Sequence, residues 1–257
     1  MIRDITIGQY YPAESVIHRL DPRVKLVGTM TFIISLFVHR SFLMYLVAAV
    51  FLTIVIKASK VPFRFMIKGL KAIMVLLLIT VVFNMFLTPG TPLIRIWKLT
   101  LTVEGVKQAA FMAIRLAFLI VGSSVMTLTT TPNHLTDGME KGLAPLNKLH
   151  VPVHEVSMIM SIALRFIPIL LEETDKIMKA QEARGADFDS GNLIQKAKSL
   201  VPLLVPLFIS AFRRANDLAM AMEARGYRGG EGRTKMKPLI YQKRDRMAYG
   251  VLLGYLA

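Results

Sequence analysis

Apolar residues fall into two kinds of run along this 257-residue chain. In the first half they are nearly continuous, at 26–38, 42–56, about 72–87 and about 103–128. His39-Arg40-Ser41 separates the first two runs, and Pro89-Gly90, Pro92 and Trp97 form a loop before the fourth. A run with no polar face predicts a helix buried on all sides or crossing a membrane. The first two runs are shorter than the ~20 residues of a full span. Lys25, Arg40 and Lys57 at their ends can snorkel to extend them, so a tight transmembrane hairpin is expected.

The second half has a different texture. Thr129-Thr130-Thr131-Pro132 supplies a cap followed by proline at the first helical position, as Asp21-Pro22 does earlier, and predicts a helix to about His150. Pro152 breaks it. Two long helices are predicted next, over about 153–184 and 192–225, each apolar in its first half and charged in its second. The first carries Val156, Ile159, Ala163, Phe166, Ile167 and Leu170; the second carries Leu200, Leu203, Leu204, Leu207, Phe208 and Phe212. Arg165, Pro168, Pro202 and Pro206 interrupt these halves, so neither is expected to span a membrane. A Gly-, Lys- and Arg-rich loop occupies 229–237. The apolar stretch 247–257 falls short of the ~17–25 residues of a span and is expected to be the cut-short start of a final one.

Composition fits a membrane protein: 54% of residues are hydrophobic and the net charge is +15. The basic residues lie beside the apolar runs, which favours an anionic leaflet over nucleic acid. Lys57, Lys60, Arg64, Lys68 and Lys71 recur at helical spacing with no acid between them and predict a leaflet-facing stripe. The flanking loops carry only Arg40, and then Arg95 and Lys98, so the N-terminus, this stripe and region 131–246 are expected to be cytoplasmic. The fold class is an all-α membrane protein, a multi-span helical bundle with a cytoplasmic module of long helices. Three parts are expected: a four-span block at 1–130, the helical module at 131–232, and a basic linker with the start of a last helix at 233–257. The first 25 residues are polar and charged, so no cleavable signal peptide is expected.

Candidate chemistry is sparse. Without cysteine there are no disulfides and no thiolate ligands. There is no G-x-x-x-x-G-K-[ST] loop to cradle a nucleotide, and Gly226–Gly230 follows no strand and opens no helix. His150, His154 and Glu155 are close in sequence, but Pro152 divides them and the H-E-x-x-H order is missing. Arg115 falls inside a predicted span, where it is either functional or hydrogen-bonded to backbone or Asn84. Methionines on the long helices, among them Met158, Met160, Met178, Met220 and Met222, suit either packing or an adaptable partner surface.

One pattern is duplicated. Glu182-Ala183-Arg184-Gly185 and Glu223-Ala224-Arg225-Gly226 end the two long helices 41 positions apart. One such end is an ordinary helix C-terminus, with a cation against the dipole and glycine as the left-handed stop. Two identical ends with outward Arg predict identical plugs for two similar sockets. These motifs, behind four spans and the early stretch Ser15–Lys25 with Leu20-Asp21-Pro22-Arg23 at its core, resemble the transmembrane T component of energy-coupling factor (ECF) transporters over essentially the whole chain.

The resemblance implies a non-catalytic scaffold for vitamin or metal uptake. Ala183, Arg184, Gly185, Ala224, Arg225 and Gly226 would dock two ATPase subunits, which bind the ATP and Mg; this chain has no cofactor. Phe166, Leu170, Leu200, Leu204, Leu207 and Phe208 would contact a separate substrate-binding S component. Membrane lipids are expected partners and nucleic acid is not. The alternative reading is a membrane-anchored helical protein whose basic loops bind anionic lipid or nucleic acid.

Overall fold

The computed structural model describes residues 10–38, 41–96, 99–186, 188, 192–229, 236 and 238–256. His39 and Arg40, Trp97 and Lys98, and most of the 229–237 loop lie outside the described residues. In chain order the elements are α1 (Pro22–Val38), α2 (Phe42–Ser59), α3 (Phe63–Leu87), β1 (Pro92–Ile96), β2 (Leu99–Thr102), α4 (Val103–Thr129) and α5 (Pro132–Leu143). A 3-10 turn (Ala144–Leu149), α6 (Val153–Glu182), α7 (Leu193–Ser199), α8 (Val201–Ala224) and α9 (Lys243–Leu256) follow. The chain divides into two compact units, one of residues 8–142 with 239–257, the other containing 143–238.

The first unit is built around α4, which packs on α1, α2 and α3. Phe32 and Leu36 of α1, Tyr45, Ala48 and Leu52 of α2, and Val121, Val125 and Leu128 of α4 form its core. A side chain at Gly122 would come within 2.7 Å of the Phe32 ring, so glycine lets α1 and α4 approach. Much of the remaining apolar surface is exposed, including Ile34, Leu46, Ile54, Val75 and Leu78, as expected of helices whose solvent is hydrocarbon. Among the described residues three helices are long and apolar enough to cross a membrane by length and composition: α2, α4 and α6.

Several local expectations change. The loop before α4 contains an antiparallel hairpin, β1 paired with β2. Its signal is the alternation Ile94, Arg95, Ile96 and Leu99, Thr100, Leu101, Thr102, which the Pro and Gly nearby obscure. The basic stripe is not one helical face. Lys60 takes a left-handed conformation (φ 56°) and closes α2, so Lys57 and Lys60 belong to a different element from Arg64 and Lys71. Lys25 does not snorkel; it is buried, and its Nζ donates to the carbonyls of Thr129 (2.8 Å) and His18 (3.2 Å). Helix α6 runs unbroken through Pro168, whose ring removes one backbone bond of a thirty-residue ladder, and so it reaches membrane length. The helix expected over 192–225 instead divides at Leu200 into α7 and α8, where Pro202 has no N–H to donate to the Lys198 carbonyl four residues earlier.

In the second unit α6 packs against α8. Met158 and Ile162, early in α6, share a groove with Leu218 and Met222, late in α8. Later in α6, Glu173 pairs with Arg214, earlier in α8, at 2.7 Å. The two helices therefore run in opposite directions past one another.

Candidate functional site

The two Glu-Ala-Arg-Gly ends fold identically. In the first, Gly185 has φ 88°, its N–H donates to Glu182 O (2.9 Å), and the Ala186 N–H reaches back to Gln181 O (3.0 Å). In the second, Gly226 has φ 70°, its N–H donates to Glu223 O (2.8 Å), and the Tyr227 N–H reaches Met222 O (3.0 Å). Both pairs of bonds make a Schellman motif, which needs a left-handed residue at the glycine. Among the described residues nothing lies within 4 Å of a side chain added at either glycine, so the backbone conformation selects the residue.

The motif fixes where each Arg stands. Arg184 and Arg225 occupy the last turn, directly before the reversal, and both are exposed along with Ala183 and Ala224. Among the described residues neither guanidinium has a hydrogen-bond or ion-pair partner. Because the helices are opposed, Arg225 lies beside the start of α6, lining a groove of about 460 Å³ with Met158 and Ile162. Arg184 lies at the other end of α6, 26 residues beyond Met158, or roughly 40 Å at 1.5 Å per residue. One unit thus presents two equivalent Arg forks at opposite ends.

The apolar candidates divide into two groups. Phe166 and Leu170 are half-buried and line the α6–α8 crossing with Ala211, Ala215 and Leu218. Leu200, Leu204 and Phe208 are exposed, and Leu207 is half-buried. The exposed three continue into Val201, Val205, Ile209 and Phe212 at helical spacing, an apolar stripe along the first half of α8. Val156, Ile159, Met160 and Ile167 make a similar exposed surface on α6. His150 ends the 3-10 turn with φ 60°, and His154 and Glu155 open α6. Among the described residues no three His, Asp or Glu side chains gather as a metal site would need.

Two groupings bring together residues that are far apart in sequence. The first is a clamp at the start of α1. Asp21 caps α1 by accepting the Arg23 N–H (2.9 Å), and the Arg23 guanidinium grips the same carboxylate through Nε (3.0 Å) and Nη2 (2.8 Å). Arg23 also lies 3.8 Å over the Tyr241 ring. Asp245, 1% exposed, accepts the N–H of Asp21 (2.9 Å) and that of Gln242 (2.7 Å), so one carboxylate joins the starts of α1 and α9. Burial raises the Asp21 pKa, but the hydrogen bonds and charge of Arg23 outweigh it and hold the carboxyl below its ordinary value. His18, bonded to Ser15 and to the Tyr11 carbonyl, is lowered, chiefly by burial. The second grouping holds Arg115. Its Nε donates to Tyr45 Oη (2.8 Å), which donates to Leu36 O (3.2 Å), whereas Asn84 bonds to Thr80 within its own helix.

The family model described as cobalt transport protein, CbiQ, matches residues 13–236. The chain is 61% identical over 251 residues to the energy-coupling factor transporter transmembrane protein EcfT of Clostridium kluyveri, covering 96% of this chain and 93% of the relative. Proteins of the same name from Thermosediminibacter oceani and Bacillus subtilis are 54% and 48% identical, covering 100% and 95% of this chain and 96% and 93% of themselves.

Proposed function

The chain belongs to the CbiQ/EcfT family of energy-coupling factor transporter transmembrane proteins, and on that premise we propose that it couples two partner ATPases to a substrate-binding S component. The chain is the multi-pass scaffold, with a cytoplasmic N-terminus, and it carries no catalytic group of its own. ATP and Mg belong to the ATPases; the vitamin or metal belongs to the S component. The observation that carries this reading is the pair of identical Schellman ends at opposite ends of opposed helices, with Arg184 and Arg225 unpartnered among the described residues.

An Arg fork suits a carboxylate or a set of carbonyls in a groove, and two like forks suit two like subunits. Ala183 and Ala224 are small enough to let each helix end enter its groove, and Gly185 and Gly226 turn the chain out of the way. The apolar stripe of α8 is the surface for the S component, with Leu200, Leu204 and Phe208 outermost, Leu207 beside them, and Phe166 and Leu170 beneath.

Truncating either Arg leaves its acceptor buried and unpaired, an effect of roughly 2–5 kcal/mol in desolvated pairs. Each Arg→Ala variant should retain less co-purified ATPase and transport more slowly, and the double variant should do neither. Lys should rescue poorly because a point charge does not reproduce the fork. Full ATPase co-purification and normal uptake by the double Ala variant would overturn the assignment.

A further inference from the structure

The first unit contains a cavity of about 330 Å³ between α1, α2, α4 and α9, small within the ~300–1,000 Å³ range of ligand pockets. Its body is apolar, lined by Phe32, Phe51, Val55, Val125, Val251 and Leu252. Lys25 and Arg244 line the same cavity. They stand near the starts of α1 and α9, beside the end of α4, so both cations lie at one end and the hydrocarbon lining extends from it. Among the described residues no Asp or Glu lines the cavity.

Among the described residues neither cation forms an ion pair. Lys25 is buried, and its Nζ bonds only to neutral carbonyls. Arg244 Nε is buried without a hydrogen-bond partner among the described residues. The nearby carboxylates are engaged elsewhere, Asp21 by Arg23 and Asp245 by two backbone N–H groups. A buried charge is stable when paired, and a guanidinium fork pairs best with a planar or tetrahedral oxyanion. An apolar channel ending in two unpaired cations has the polarity of an amphiphile with an anionic head.

We propose that this cavity binds one anionic phospholipid, with an acyl chain among α1, α2, α4 and α9 and its phosphate held by Arg244 and Lys25. The site shares no residue with the Arg-Gly ends or the α8 stripe, and its test needs neither partner. Bound there, the lipid fills the gap between α9 and the α1–α4 core.

Native mass spectrometry of the full chain, released from micelles containing equal phosphatidylglycerol and phosphatidylcholine, tests this. The chain should retain one phosphatidylglycerol, about tenfold over phosphatidylcholine, and Arg244→Gln should lower that retention about fivefold or more. Arg244→Lys, which keeps the charge, should lose less, and Ala248→Trp, which fills the cavity from α9, should exclude the lipid. The latter two decide the matter if Arg244→Gln does not fold. Equal retention of the two lipids, retention unchanged in both Arg244→Gln and Ala248→Trp, or displacement by glycerol 3-phosphate alone would each overturn the proposal.

Discussion

Arg23 and Arg225 both sit in short motifs at helix ends, and they live in opposite circumstances. Arg23 is held on every side: a bidentate carboxylate, an aromatic face and the buried link from Asp21 to Asp245. Arg225, like Arg184, projects from a fully satisfied backbone reversal with nothing on its guanidinium among the described residues. The first arrangement consumes its donors inside the unit and joins two chain regions 224 positions apart. The second leaves its donors for something outside. The lesson is that an Arg in a motif declares its role through its acceptors.

The contrast breaks most visibly at Asp245. Asp245→Ala leaves the buried Asp21 N–H without an acceptor, at about 1–3 kcal/mol, and also removes the acceptor of the part-buried Gln242 N–H. The thermal midpoint of the purified chain should fall sharply, whereas the Arg184→Ala/Arg225→Ala double variant should keep its midpoint, since exposed sites change stability by ~0.5 kcal/mol or less. A large loss of stability in the double variant would make the two regions alike. Second in size is Phe208→Asp on the α8 stripe. It should remove the S component from pull-downs, by an effect of a few kcal/mol, and leave the ATPases bound. Loss of the ATPases instead would mean that the two surfaces of the module are assigned in reverse.

Gly226→Ala should cost about 1–2 kcal/mol by placing a β-carbon at positive φ. Its signature is a weakened ATPase complex despite an intact Arg225, measured beside Gly185→Ala. The smallest effect is the pH response of the clamp. His18 has a folded pKa below its unfolded value, so the unfolded chain binds the proton first. The stability that neutral His18 contributes is complete above the unfolded value, ~6.5, and declines as pH falls through the folded one. Between pH 7.5 and 5.5 the midpoint of the wild type should drop more than that of His18→Gln; parallel slopes would remove His18 from the account.

The helices, the duplicated ends and the Asp21 cap were legible because each is written locally, in apolar runs, in Gly after Arg, and in Asp before Pro. What stayed hidden depends on partners distant in sequence. Tyr45, 70 positions from Arg115, is its partner, where the sequence offered only backbone or Asn84 as hydrogen-bond acceptors. Asp245 gave no sequence signal of joining α1, because its second acceptor oxygen is an ordinary helix-start bond to Gln242. The hairpin was hidden for a different reason: a short alternation flanked by Pro and Gly reads first as a loop. Among the candidate site residues, Phe166 and Leu170 looked equivalent to Leu204 and Phe208, and only the antiparallel pairing of α6 and α8 turned the former pair inward.

The Glu173–Arg214 contact has a mechanical consequence. Its partners are 41 residues apart, the spacing of the duplicated ends, so each helix runs 11 residues from this contact to its own Arg. At 1.5 Å per residue both arms measure about 16 Å, and they point in opposite directions. Equal and opposite pushes at the two tips therefore sum to a torque about the contact with no net translation. A push on one tip alone displaces the pair as well as turning it, so the geometry separates synchronous input from single-sided input.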